Sequence, residues 1–283
     1  MSASSSELFV SAAWLAGNLD DSDIALIDAR MLPPGDTTRD IHAEYRAGHL
    51  PGAVFFDIET LSDPHSNLPH MMPDQDDFAR AMGKLGVNER QHLVIYDEGN
   101  LFSAPRAWWM LRTFGAERIS ILSGGLAGWK KQHLPLEQGD VEPAPQTFNA
   151  RIDASAIRQR DDLLAIINDA SAQIVDARPA ARFNGEVDEP RPGLRRGHIP
   201  GSLNVPWNEL VANGALKPNA ELATILHKHG VDFSRPIVAS CGSGVTAAVV
   251  VLALTLLDVR HVALYDGSWS DWGSRDDVPI TLD

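Results

Sequence analysis

The sequence predicts a tandem α/β protein of two domains, each an open, mainly parallel sheet flanked by helices. Two observations carry that prediction. Four short blocks recur in the same order along the 283 residues, which marks a duplicated unit. Within each copy, short continuous apolar runs alternate with longer helical stretches. Runs of that kind suit parallel strands covered on both faces. Strand, crossover helix and strand then build a parallel sheet, whose ligands bind beyond the carboxyl ends of its strands.

The blocks run as follows. Ile24-Ala-Leu-Ile-Asp-Ala-Arg30 is matched by Ile174-Val-Asp-Ala-Arg178, and Gly48-His-Leu-Pro-Gly-Ala53 by Gly197-His-Ile-Pro-Gly-Ser202. Leu93-Val-Ile-Tyr-Asp97 is matched by Ile237-Val-Ala-Ser-Cys241, and Gly124-Gly-Leu-Ala-Gly-Trp129 by Gly267-Ser-Trp-Ser-Asp-Trp272. Ala25–Ile27, Leu93–Tyr96 and Ile119–Leu122 read as strands of the first half. Gln173–Val175, Pro236–Ala239 and Val262–Tyr265 read as their counterparts. Ala104–Phe114 and Val245–Leu257 read as the helices that follow each central strand. Between the halves, Gly139-Asp-Val-Glu-Pro-Ala-Pro-Gln146 has the prolines and low apolar content of a linker. The expected division is a domain over 8–138, a linker over 139–160 and a domain over 161–283. The tryptophans Trp108, Trp109, Trp129, Trp207, Trp269 and Trp272 read as core or interface fillers, and His49 and His198, present in both halves, as structural.

Charge and composition exclude several functions. The net charge is -14, from 38 acids against 24 bases. Such a surface repels nucleic acid and anionic lipid, so an anionic substrate needs a local basic pocket. The longest apolar run, Val245–Leu257, falls short of the about 20 residues that span a bilayer. Met1–Glu7 carries no basic residue ahead of an apolar stretch, which argues against a secretory signal. The one cysteine, Cys241, allows no internal disulfide and no multi-cysteine metal site, and the cytoplasm is the expected compartment. Ten histidines show no metal-ligand spacing, and no G-x-G-x-x-G opens a helix, so neither a metal nor any other cofactor is expected.

The chemistry is expected at Ser240-Cys-Gly-Ser-Gly-Val-Thr246. A strand ends at Ser240 and an apolar helix begins near Val245. The glycines Gly242 and Gly244 permit a tight turn with backbone amides facing inward. Cys241 would then lie in a ring of N–H donors at the positive end of a helix, which favours the thiolate a sulfur nucleophile needs. A lone buried cysteine is otherwise often inert. The duplicate is an internal control: Asp97 stands where the second half has Cys241, so one half carries the reaction. A phosphatase loop would need an arginine where this chain has Ala247.

The loop Cys241-Gly-Ser-Gly-Val-Thr246 resembles the active-site loop of the tandem rhodanese superfamily, in the branch that uses a mercapto acid. The likeness covers nearly the whole chain. It extends to Phe55-Phe-Asp-Ile, His70-Met-Met-Pro, Ser103-Ala-Pro-Arg-Ala-Trp-Trp, Glu189-Pro-Arg-Pro-Gly and Tyr265-Asp-Gly-Ser-Trp. The resemblance implies ping-pong transfer of sulfur from 3-mercaptopyruvate, through a persulfide on Cys241, to a thiol, a thioredoxin-like protein or cyanide, with release of pyruvate. Gly242, Gly244, Val245 and Thr246 would form the active-site loop. Read from sequence alone, Arg182 and Arg191 are better explained as salt-bridged to Glu186, Asp188 and Glu189; the resemblance matches both to the substrate-binding arginines, most strongly Arg182. A relay of Ser243, His70 and Glu59 is also implied, although the family often has Asp at the position of Glu59. Thiosulfate-preferring relatives carry Arg and Lys in place of Gly242 and Ser243. An uncharged loop is less suited to a dianion, so the mercapto acid is the expected donor. A thiosulfate:cyanide sulfurtransferase and a non-catalytic persulfide carrier are the alternatives. Arg106, Arg195 and Arg196 are expected at the surface.

Overall fold

The computed structural model describes residues 8–282; the expectation about Met1–Glu7 lies outside the described residues. The chain divides into two compact units. One contains the chain through Pro64, Met72–Asp153 and Asn213–Ala215. The other contains His65–Met71, Ala154–Ala212 and the chain from Leu216 onward. Each half of the sequence therefore lends a short segment to the unit built mainly by the other.

In the first unit the elements follow in the order β1 (Phe9–Val10), α1 (Ala12–Ala16), β2 (Ile24–Asp28), α2 (Ile41–Ala47), β3 (Val54–Phe55), α3 (Gln75–Lys84), β4 (His92–Tyr96), α4 (Ala104–Thr113), β5 (Arg118–Leu122) and α5 (Gly125–Lys131). The sheet order is β1-β5-β4-β2-β3, and every pairing is parallel. The second unit repeats this. It has β6 (Ile157–Arg158), α6 (Arg160–Asp169), β7 (Gln173–Asp176), α7 (Ala180–Phe183), β8 (Leu203–Asn204), a two-stranded sheet of β9 (Val211–Ala212) and β10 (Ala215–Leu216), α8 (Asn219–Lys228), β11 (Ile237–Ser240), α9 (Ala247–Leu256), β12 (Val262–Tyr265) and α10 (Ser268–Trp272). Its five-stranded order, β6-β12-β11-β7-β8, is again wholly parallel. The duplication read from the sequence is thus a duplication of topology.

The repeated blocks have matching physical jobs. Asp28 pairs with Arg30 at 2.7 Å and Asp176 with Arg178 at 2.7 Å, both pairs buried. Arg30 also donates to the Gly48 carbonyl at 3.2 Å and Arg178 to the Gly197 carbonyl at 2.8 Å, which ties the first block to the second. His49 stacks on Tyr45 and bonds its carbonyl, and His198 does the same with Phe183. Both histidines are therefore structural, as read. One compensating exchange separates the halves. Tyr96 donates its hydroxyl to Asp28 at 2.7 Å and packs with Leu126 in the first core. In the second, Ser240 takes the place of Tyr96 and Trp269 that of Leu126, so the large ring comes from the opposite partner. The Arg178 guanidinium lies 4.3 Å over that Trp269 ring.

The central helices differ in character from a surface helix. α9 is apolar on all sides and almost entirely buried, as a helix covered by its neighbours must be. α4 begins with Pro105 in its first turn and is also buried along most of its length. Arg106, expected at the surface, is fully buried there, its guanidinium 4.6 Å over the Trp109 ring. Arg195 also departs from the expectation: it donates to the carbonyls of Trp272 and Val278, both at 3.2 Å. Arg196 is exposed and paired to Asp188 at 2.8 Å. Trp108, Trp109, Trp129, Trp269 and Trp272 are core residues. The stretch 139–153 runs along the first unit: Gln146 donates to the Gly83 carbonyl at 2.9 Å and Phe148 packs edge-on against Phe78.

Candidate active site

The turn after β11 and its first-half twin, the turn after β4, show what this loop is built to hold. Asp97 follows β4 and is buried. Its Oδ1 accepts the backbone N–H of Gly99 at 2.9 Å and of Leu101 at 3.4 Å, and its Oδ2 those of Ser103 and Ala104, both at 3.2 Å. Burial pushes this carboxyl above the usual carboxylate range, and the four amides pull the other way. The loop is an anion nest with its anion covalently attached.

Cys241 occupies the same position after β11 and is 2% exposed. The second loop is one residue shorter, since α4 begins at Ala104 and α9 at Ala247. The first turn has positive φ at Gly99 and Leu101, 114 and 58, and the second at Gly244, 77; Leu101 and Gly244 each stand three residues before their helix. Aligned on those residues and on the helix starts, the amides of Gly244, Thr246 and Ala247 are the counterparts of three that hold Asp97. Ser243 is the counterpart of Gly99. Cys241 therefore stands where the duplicate holds its amide-bound carboxylate.

The loop is braced from behind by α10. The Trp269 N–H donates to the Cys241 carbonyl at 2.9 Å and the Ser270 N–H to the Gly242 carbonyl at 2.8 Å. In the first half, Leu126 and Ala127 do this for Asp97 and Glu98, at 2.9 and 3.0 Å. Beyond the loop lie the predicted arginine and an acid that the sequence did not single out. Arg182 gives its Nε to Glu189 Oε2 at 3.0 Å, and its Nη2 bonds the same oxygen. Glu189 Oε1 is held by buried Arg178 at 2.7 Å. Nη1 of Arg182 makes no hydrogen bond among the described residues, and the side chain is 20% exposed. A Cβ on Gly242 would come within 3.0 Å of Arg182 Nη2, so the guanidinium lies against the nucleophile loop. One edge of the guanidinium is fixed by Glu189 and the other remains for an anion.

Ser243 is joined to His70. His70 Nδ1 lies 2.9 Å from Ser243 Oγ and 3.3 Å from its carbonyl oxygen, with donor and acceptor set by the ring's tautomer. His70 is buried and held at φ 61, a strained conformation for a side-chain-bearing residue. It belongs to the segment His65–Met71, which forms part of the second unit. Glu59 belongs to the first unit and is exposed; its N–H caps Asp57 at 3.1 Å. Two of the three relay residues are thus brought together in one unit. Arg191 is half-buried on the loop just beyond Glu189. Val245 and Thr246 complete the turn into α9. Among the described residues, no group of three or more histidine, cysteine or acidic side chains is placed to hold a metal ion.

In the first half the groups around the Asp97 loop are already engaged. Arg39, on the loop before α2, is taken by Glu44 at 2.7 Å and by Glu98, the residue after Asp97. Gly214, at the tip between β9 and β10, sits on this loop: Gly124 N–H donates to its carbonyl at 3.2 Å. A Cβ at Gly214, whose φ is 73, would fall 2.4 Å from the Gly99 carbonyl oxygen, so only glycine fits. Ser268 and Ser270, missed from sequence, back the Cys241 loop, and Glu189 is the one of the three candidate acids that Arg182 takes. The serines had a signal: the last repeated block has Gly125 and Ala127 at their positions.

Comparison with known proteins agrees with this geometry. The rhodanese-like domain family matches residues 11–132 and again 159–275. The 3-mercaptopyruvate sulfurtransferase of Escherichia coli K12 is 61% identical over 96% of this chain and 97% of its own. The thiosulfate sulfurtransferase of Gallus gallus is 39% identical, over 94% of this chain and 93% of its own. Among solved structures, SseA of Escherichia coli, a structure presenting the rhodanese fold and catalytic mechanism of 3-mercaptopyruvate sulfotransferases, superposes with a TM-score of 0.87. Its identity is 60%, with 92% of this chain and 98% of that chain covered. With two matched domains and a duplicated parallel sheet, the chain belongs to the rhodanese-like family.

Proposed function

We propose that this chain is a sulfurtransferase that carries sulfur from 3-mercaptopyruvate, through a persulfide on Cys241, to an acceptor nucleophile. The single observation that carries the reading is the paired loop: the position that holds an amide-bound carboxylate in the first half holds the chain's one thiol in the second.

The Cys241 thiolate attacks the substrate sulfur, and the bond between that sulfur and C3 breaks. Its electron pair passes to C3, conjugated with the ketone, so pyruvate leaves as its enolate and takes a proton. Cys241 keeps the sulfur as a persulfide. The amides facing the nest stabilise this anion as they stabilise the thiolate. The open edge of Arg182 grips the donor carboxylate, with Arg191 assisting. The Ser243–His70 pair passes the proton that the enolate needs. A thiol, a thioredoxin-like protein or cyanide then attacks the outer sulfur and regenerates the Cys241 thiolate. Among the described residues no helix is long and apolar enough to cross a membrane. We place the reaction in the cytoplasm, where a lone reactive thiol is kept reduced.

Donor choice follows from Gly242. A longer side chain there would crowd Arg182, and an arginine would set a second cation against it. The absence of that side chain leaves Arg182 to a monoanionic carboxylate and supports the mercapto acid over thiosulfate. Initial rates with both donors on one preparation test this: kcat/KM should be higher for 3-mercaptopyruvate, and a preference for thiosulfate would refute it.

A further inference from the structure

The two halves brace their loops differently, and the difference lies in two hydroxyls. Ser268 Oγ accepts the Cys241 N–H at 3.1 Å and donates to the Tyr265 carbonyl at 2.8 Å. Ser270 Oγ donates to the Gly242 carbonyl at 2.7 Å, beside the bond from its own N–H. The first-half counterparts, Gly125 and Ala127, have no hydroxyl. Ser268 is fully buried and sits at φ 47, where Gly125 has φ 51. A serine is thus held in a backbone conformation that costs glycine nothing.

The chemistry of the two anions explains the need. The Asp97 carboxylate has two oxygens and staples four amides of its own loop from inside. A thiolate offers one large, weakly accepting atom and cannot pull a loop containing Gly242 and Gly244 into place. The peptide unit is planar and trans, so fixing the Gly242 carbonyl fixes the Ser243 N–H to point the opposite way. The counterpart of that N–H, on Gly99, is the one that reaches Asp97 Oδ1 at 2.9 Å. Ser270 therefore sets the direction of the Ser243 N–H, and Ser268 pins the Ser240–Cys241 peptide unit.

We propose that Ser268 and Ser270 are positioning residues for sulfur transfer: their hydroxyls hold the Ser240–Cys241 and Gly242–Ser243 peptide units from behind, replacing the internal staple that the carboxylate provides in the first half. This rests on the reading of Cys241 as the nucleophile.

The test uses the full chain and installs the first-half residues, Ser268→Gly and Ser270→Ala, with Ser270→Thr to restore a hydroxyl. Single-turnover persulfide formation is measured across 3-mercaptopyruvate concentration, together with alkylation of Cys241 by iodoacetamide and Tm. In both first-half variants the limiting rate and the alkylation rate should fall about three- to ten-fold, with the half-saturating concentration and Tm little changed. Ser270→Thr should recover most of the loss. Ser268→Gly relieves the backbone strain, so a slower thiol in a protein no less stable is the expected split. Wild-type rates in both first-half variants, or losses that track Tm and are not rescued by threonine, would overturn the proposal and leave the sulfurtransferase reading standing. A wild-type protein that takes up no sulfur would overturn both.

Discussion

Replacing Arg182 by alanine should cripple one half of the reaction and spare the other. The guanidinium spends its Nε and Nη2 on Glu189 and leaves Nη1 without a hydrogen bond among the described residues, in a site where only 20% of the side chain meets solvent. A charge-assisted hydrogen bond lost there is worth about 1.5–3 kcal/mol, or roughly ten- to 150-fold in kcat/KM for persulfide formation. The fold should tolerate the change. Glu189 stays paired to Arg178 at 2.7 Å, so no buried carboxylate is left alone. Arg182→Lys keeps the charge but cannot hold Glu189 side-on while presenting a second donor edge, so it should recover only part of the loss. The assay is single-turnover kinetics on each half-reaction: sulfur uptake from 3-mercaptopyruvate, then discharge of the loaded enzyme to cyanide. Cyanide has no carboxylate, so discharge should change less than three-fold. Equal slowing of both halves, or an unimpaired donor half, would show that Arg182 only anchors Glu189.

Three further outcomes follow from the same geometry. Cys241→Ser should retain the fold and lose all sulfur transfer, because no second thiol exists; turnover by the purified variant would contradict this. Gly242→Arg combined with Ser243→Lys should raise the kcat/KM ratio of thiosulfate to 3-mercaptopyruvate by at least about ten-fold, through two cations beside the nucleophile and crowding of Arg182. An unchanged ratio in an active protein would separate loop charge from donor choice. Asp97→Cys in the Cys241→Ser background should take up no sulfur, since Gly214 covers that loop and Arg39 is already held by Glu44 and Glu98; a mass increase after donor treatment would show the first-half nest to be competent.

The sequence displayed the parts of the fold that repetition and apolar runs can reveal. The inner strands β2, β4, β5, β7, β11 and β12 were legible because each is a short, continuous apolar run with a counterpart in the other half. The edge strands β1, β3, β6 and β8 are two residues each, too short to carry any period. Cys241 stood out in the sequence by its place between a strand and two glycines, and the structure puts it on the turn between β11 and α9. Glu189 did not stand out, because Glu186, Asp188 and Glu189 are equivalent carboxylates until the loop's path selects the one beneath Arg182. Arg106 reads as a surface charge because its cover, the Trp109 ring, comes from three residues along the same buried helix. The proline-bearing stretch 139–146 reads as a linker because composition does not register the Phe148–Phe78 contact that follows it.

The central claim is that Cys241 takes sulfur from 3-mercaptopyruvate as a persulfide. It is tested most directly by the intact mass of the protein after incubation with that donor, followed by peptide mapping. The expected result is a gain of one sulfur atom, confined to the peptide containing Cys241, absent from Cys241→Ser and removed by cyanide. An unchanged mass, or added sulfur that survives the loss of Cys241, would contradict it.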